Sequence, residues 1–301
     1  MPPAAAPLDW QRDGADWPHR TRSRFVDAGG LRWHLQHWPA PHADAGTLVL
    51  LHGTGASTHS WRGLAPLLAQ QHAVWAMDLP GHAFTAAPAS SALGLVGMSE
   101  ALSALLSALD VRPTGLVGHS AGAAIAVQMV HSGLVETVQR IVAINGAFLP
   151  FGGVAAPLLS PLARLLHASP WVPRLFARRA ADPAVVRRLI EGTGSRLDAE
   201  GQALYGALIR TPAHARAALG MMAHWDLVPL SRGLPALRVP LDLLVGELDS
   251  AVPPRQATNV ASRCTQARVL SLPGLGHLVH EEAPQAVARL VLERLQLTSV
   301  G

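Results

Sequence analysis

The sequence predicts an α/β fold, a mostly parallel sheet covered by helices on both faces, and three observations carry that expectation. Predominantly apolar runs of strand length recur at 47–51, 73–77, 138–144 and 241–245. Between such runs the apolar residues fall instead at helical spacing, as with Leu102, Leu105, Leu106 and Leu109. Strands buried on both faces read as continuous apolar runs, and their alternation with amphipathic helices is the pattern of parallel strands joined by helical crossovers. The third observation is local. From Thr114 to Val127 an apolar run enters Gly118-His119-Ser120-Ala121-Gly122 and leaves through a helix of small residues, a sharp strand-to-helix turn with a serine at its apex.

The elements follow in order. Residues 24–28 and 31–38 flank Gly29-Gly30 and read as a hairpin. The strand 47–51 leads into His52-Gly53-Thr54-Gly55 and a helix using Leu64, Leu67 and Leu68; the strand 73–77 ends in Asp78-Leu79-Pro80-Gly81. A helix over 99–109 leads to the serine turn, and the strand 138–144 follows it. The pattern is then lost until 241–245, after which a helix near 255–264, a strand over 268–272 and a helix from Pro284 close the chain. The interrupted stretch, 147–232, is expected to be a helical cap inserted into a core of 1–146 and 233–301. It holds ten arginines against five acids, whereas the remainder has 14 arginines against 15 acids. The positive surplus therefore belongs to the cap, along with Phe148, Phe151, Trp171 and Phe176.

A chain of 301 residues fits one domain with an insertion. Its formal charge is +4, its charged residues are 15%, and no basic run interleaved with aromatics appears, so nucleic acid is not an expected partner. Cys264 is alone, which rules out an internal disulfide or a cysteine metal cluster and points to a reducing, cytoplasmic setting. The first twenty residues contain Asp9, Arg12, Asp13 and Asp16 and no apolar core, so export is not expected. Residues 113–135 and 141–163 are long enough to imitate membrane spans, but the first contains the serine turn and the second is broken by Gly146, Pro150, Gly152, Gly153, Pro157 and Pro161. The expectation is a soluble protein.

A serine hydroxyl is a weak nucleophile until a base takes its proton, and the base needs a carboxylate to fix its tautomer. Small residues two before and two after the serine let backbone pass close to the turn, and Gly118 and Gly122 supply them. For Ser120 the expected base is His277, in the Gly-rich loop Leu272-Pro-Gly-Leu-Gly-His277 after the last strand. The expected acid is Asp249, beyond the strand 241–245, since open α/β sheets place their sites at the carboxyl ends of strands. His280, beside Glu281 and Glu282, reads as a solvated helix start and is the rival base; Glu247 is the rival acid, with Asp226 behind it. His119 reads as a packing residue and His52 as a structural one. For the oxyanion, the backbone N–H groups of Ala121 and Thr54 are expected donors. His277, His280 and nearby carboxylates lack a third ligand at metal spacing, and no cofactor or metal is expected.

His52-Gly-Thr-Gly55, Asp78-Leu-Pro-Gly81, Gly118-His-Ser-Ala-Gly122, Asp249 and Gly276-His277 together resemble the α/β-hydrolase superfamily over nearly the whole chain. Ala83, after Gly81-His82, departs from that pattern where many members have glycine. More narrowly, residues 51–62, Asn145-Gly-Ala-Phe-Leu-Pro-Phe-Gly-Gly153, Gly192-Thr-Gly-Ser-Arg196 and Gly220-Met-Met-Ala-His-Trp-Asp226 resemble the magnesium chelatase accessory proteins of bacteriochlorophyll biosynthesis. That resemblance implies a role around magnesium insertion into protoporphyrin, with contact with the chelatase; it does not itself identify a substrate, for which the Arg-rich, apolar cap suggests a porphyrin-like molecule. The Arg-rich cap would meet either an acidic, apolar ligand or, peripherally, a membrane face. Three functions remain open: a serine hydrolase of an ester-like bond, a non-catalytic porphyrin- or chelatase-binding accessory, and a C–C bond hydrolase or perhydrolase. Serine at position 120 disfavours dehalogenases and epoxide hydrolases that use an aspartate nucleophile.

Overall fold

The computed structural model describes residues 7–150 and 171–296. Eight strands form one sheet: β1 Ser23–Ala28, β2 Leu31–Trp38, β3 Thr47–Leu51, β4 Ala73–Met77, β5 Gly115–His119, β6 Arg140–Ile144, β7 Leu241–Gly246 and β8 Ala267–Leu272. Their order is β1-β2-β4-β3-β5-β6-β7-β8. β2 pairs antiparallel with both β1 and β4, and the pairings from β4 to β8 are all parallel. The β1–β2 hairpin turns on Gly29 and Gly30, with φ of 57° and 76°, the paired positive φ that tight hairpins require.

Helices of at least seven residues are numbered α1 to α8. α1 (Leu95–Ala108), α2 (Ala121–His131) and α7 (Arg255–Ala261) connect successive parallel strands, and α8 (Pro284–Gln296) follows β8. Side chains alternate across each strand, so Val49 and Leu51 of β3 join a core with Leu102, Leu105 and Ile125. Leu48 and Leu50 join the opposite core with Trp61, Leu64, Val287 and Val291. α1 begins one turn earlier than its apolar spacing suggests: its N-cap is Gly94, with no side-chain cap hydrogen bond, so the sequence carries no polar start signal there.

Between β6 and β7 the described elements are helical: α3 Val172–Arg179, α4 Pro183–Glu191, α5 Ala199–Ile209, α6 Pro212–Ala223 and the short helix Val228–Gly233. Aspartates start two of them. Asp182 accepts from the Ala184 N–H at 2.9 Å, and Asp198 from the Gly201 N–H at 2.7 Å. Phe151 and Arg164 of the expected cap lie outside the described residues, as do the side chains of Arg174 and Phe176.

Candidate active site

Parallel pairing brings the carboxyl ends of β3, β4, β5, β7 and β8 to one edge of the sheet, and there the turn after β5 holds Ser120 at φ 52° and ψ −116°. A non-glycine residue in such a conformation costs on the order of 1–3 kcal/mol and persists only where its surroundings enforce it. They do so through the Ser120 N–H, donating to the Ile144 carbonyl at 3.0 Å, and through the Ala147 N–H, donating to the Ser120 carbonyl at 3.1 Å. Gly122 lies so close to β3 that a Cβ there would run into the Leu51 carbonyl oxygen. Ala121 is the first residue of α2, so its N–H has no helical partner one turn back and stands at the positive end of the helix.

His277 and Asp249, from the loops after β8 and β7, come together with Nδ1 2.7 Å from Oδ2. The other Asp249 oxygen accepts the N–H groups of Ala251 and Val252, both at 2.8 Å. A buried carboxylate with these donors fixes the proton on Nδ1, leaving Nε2 as the basic atom. Glu247, the rival acid, and Asp226 are exposed. His280 departs from expectation: it is fully buried, packed 4.7 Å from the Trp61 ring and 4.5 Å from the His119 ring. Burial, with His277 and Arg62 nearby, holds His280 down to about 3. The neighbouring acids suggested solvent, but the short helix Val279–Glu282 turns inward. Glu281 is buried between the Arg62 guanidinium and the Tyr205 hydroxyl, which donates to it at 2.8 Å. Burial pushes Glu281 up to about 7, against the opposing pull of Arg62 and Tyr205.

Asn145 stands just beyond β6 at φ 46°; it opens one of the segments that carry the family resemblance, but nothing in the sequence assigns it a place at the site. Its Nδ2 donates to the carbonyls of Gly276 at 3.0 Å and His277 at 2.7 Å, while its Oδ1 accepts the Gly246 N–H at 2.8 Å. One side chain thus ties the end of β7 to the histidine loop. His119 adds a second donor to the His277 carbonyl, from Nε2 at 2.9 Å. Apart from that resemblance, the sequence sign at Asn145 is its place after a buried strand and before Gly146.

The loop after β3 lies against the serine, since a Cβ on Gly53 would stand 3.0 Å from the Ser120 Cβ. His52 has the structural place expected of it, with Nδ1 donating to the Gly53 carbonyl at 2.8 Å and Nε2 accepting the Leu79 N–H at 2.9 Å. α6 of the insertion covers this loop. The Thr54 hydroxyl donates to the Met221 sulfur at 3.4 Å. His214 accepts the Ala83 N–H at 3.0 Å and donates to the Gly55 carbonyl at 3.1 Å. Ala83 itself holds φ 42°, so the loop keeps a backbone shape that glycine would adopt without strain. Beneath it Asp78 accepts from His34 at 2.6 Å and from the Thr58 N–H at 2.7 Å. Burial would raise Asp78, but His34 and these donors bring it down to about 2. His34 also meets the Ser23 hydroxyl at 3.0 Å. The rings of Trp10, Phe25 and Phe84 stand 4.9 to 5.2 Å from its imidazole, and this contact of Ser23, His34 and Asp78 pins β1, β2 and the end of β4 together.

A sheet of this order, with a serine on the strained turn after β5 and an aspartate and a histidine meeting from the loops after β7 and β8, defines a class of protein. The sequence profile described as the alpha/beta hydrolase fold matches residues 46–284, and the chain belongs to that family. It is 38% identical to the "Magnesium-chelatase 30 kDa subunit" of Rhodobacter capsulatus, over 94% of this chain and 97% of that one. It is 33% identical to the "Dihydrolipoyllysine-residue acetyltransferase component of acetoin cleaving system" of Pseudomonas putida, over 94% of this chain and 72% of that one. The solved structure of an alpha/beta hydrolase fold protein from Burkholderia ambifaria matches with a TM-score of 0.75 at 23% identity, covering 97% of this chain and all of the other. Such a likeness carries the fold alone. Among the described residues no helix is long and apolar enough to cross a membrane.

Proposed function

We propose that this chain is a cofactor-independent serine hydrolase acting on an ester-like bond. The observation that carries the reading is the 2.7 Å contact between His277 Nδ1 and Asp249 Oδ2, on the same sheet edge as the strained Ser120. Asp249 holds the Nδ1 proton, and His277 Nε2 takes the proton of Ser120 as Oγ attacks the substrate carbonyl carbon. The oxyanion accepts from the N–H groups of Ala121 and Thr54. His277 returns its proton to the departing alkoxide, and a water activated by the same imidazole then hydrolyses the acyl-serine ester. Residues 147–232 form the cap over this site.

Similarity to a magnesium-chelatase subunit supports a place beside magnesium insertion in bacteriochlorophyll synthesis, with a porphyrin-like substrate and contact with the chelatase. The cap surface suits an acidic, apolar ligand. A cleft of about 420 Å³ is lined by Leu175, Ala180, Val185, Leu189 and Ile209 together with the cation Arg179. Trp171 is 68% exposed nearby, and Arg178, Arg187 and Arg188 are exposed on the same helices, where guanidinium groups can pair with carboxylates. The test is mass spectrometry after treatment with a fluorophosphonate: the adduct is expected on Ser120 and lost in Ser120→Ala. A phototrophic host lacking this protein should regain bacteriochlorophyll with the wild type and not with Ser120→Ala. Full restoration by that variant would overturn the catalytic reading in favour of a non-catalytic accessory.

A further inference from the structure

The segment Gly192-Thr-Gly-Ser-Arg196 belongs to the insertion, yet it packs on both loops that bring the acid and the histidine together. The Thr193 carbonyl accepts the His277 N–H and the Ser250 N–H, each at 3.3 Å. Ser195, fully buried, accepts the Leu278 N–H on its hydroxyl oxygen at 2.8 Å. The Ser250 hydroxyl, next to Asp249, donates to the Gly192 carbonyl at 2.7 Å. Glu282 completes the contact by accepting the Arg196 N–H at 2.9 Å and the Gly276 N–H at 3.0 Å. Gly194, at φ 83°, lies where a Cβ would run into the Leu248 carbonyl, so the close approach needs glycine twice over.

We propose that Gly192–Arg196 is a positioning element for the acid–histidine pair, with Ser195 its anchor. The division of contacts around His277 carries this inference. The sheet holds its carbonyl, through Asn145 and His119, whereas the insertion holds its N–H and the next N–H in the chain. Each of the two peptide planes flanking the imidazole is thus held from both sides, by its carbonyl from the sheet and by its N–H from the insertion. The segment also reaches Ser250, so it spans both members of the pair and sets their separation. Small misplacements of a reacting group cost rate steeply, and the insertion is therefore part of what keeps Nε2 aimed.

This inference rests on the serine-hydrolase reading and is tested by the rate of fluorophosphonate labelling at Ser120 across pH 5 to 9. Ser195→Ala, which leaves the Leu278 N–H without its partner, is expected to slow labelling about tenfold and to displace the pH midpoint of its rise. Ser195→Thr, which restores a hydroxyl, should recover part of the rate. Ser250→Ala removes an exposed side chain and will fold whatever happens at Ser195; it should slow labelling about threefold. Wild-type rates and pH profiles in both Ser195→Ala and Ser250→Ala would overturn the proposal, even where the melting temperature falls. A second readout is the proton NMR resonance of the His277 Nδ1–H, which should broaden or exchange faster in both variants. If wild-type Ser120 takes no label, the hydrolase reading fails; this resonance still decides positioning, and an unchanged signal in both variants would sink it.

Discussion

His214 joins the insertion to the loop after β3 as a neutral ring, one nitrogen accepting from Ala83 and the other donating to Gly55. Burial depresses its proton affinity, with the nearby His52 adding to it and the Gly55 carbonyl and Asp78 opposing, to leave it at about 4 against an ordinary 6.5. Below pH 6.5 the unfolded chain gains a proton that the folded protein refuses until about pH 4. The stability that depends on neutral His214 is thus complete above pH 6.5 and lost as pH falls toward 4. Between pH 7.5 and 5.0 the linkage amounts to roughly 1.5 pH units at 1.36 kcal/mol each, or about 2 kcal/mol. Glutamine can accept and donate at nearly the same points without titrating. Urea unfolding of the wild type and His214→Gln at both pH values should show the wild type losing about 2 kcal/mol more. His52, His59, His82, His119 and His280 are also depressed by burial, so acid should weaken both proteins, and only the difference belongs to His214. Equal losses in the two would refute the reasoning.

Two substitutions probe the serine turn and its relay. Asp249→Asn can still accept the Ala251 and Val252 N–H groups, so the fold should survive while hydrolysis of a chromogenic ester falls about 10⁴-fold; a loss below tenfold would remove Asp249 from the relay. Gly122→Ala drives a methyl group into the Leu51 carbonyl and should cost more than about 3 kcal/mol in urea unfolding, an expectation that an unchanged midpoint would contradict.

What could be read from sequence was whatever neighbours in the chain decide. Apolar runs announce strands because both faces of a central strand are buried, and Ser120 announces itself because its turn needs small residues within two positions. The meeting of Asp249 and His277 is legible for the same reason, each standing in a Gly- or turn-rich loop just after a strand. His280 was misread because Glu281 and Glu282 suggested solvent, whereas Arg62 and Tyr205, far away in sequence, draw Glu281 into the interior. Asn145 acts across 101 and 132 residues on Gly246 and His277, and no local pattern marks such a tie. The Gly192–Arg196 segment stood out only through family resemblance; its contacts with His277 and Leu278 exist only once the insertion folds back.

Cys264 is the only thiol in the chain and is 1% exposed, packed between α7 and β8 with its N–H on the Val260 carbonyl at 2.9 Å. The molecule therefore carries its own clock. A soluble maleimide can react only with molecules whose α7–β8 edge has opened, each of which is marked once and permanently. Cys264 sits by the amino end of β8, where the Ala267 N–H donates to its carbonyl at 2.9 Å, so the rate of marking reads how often this outer edge of the sheet comes apart while the rest stays folded. Anything that holds this edge closed will slow the clock, and its effect can be followed without a known substrate or a measurement of turnover.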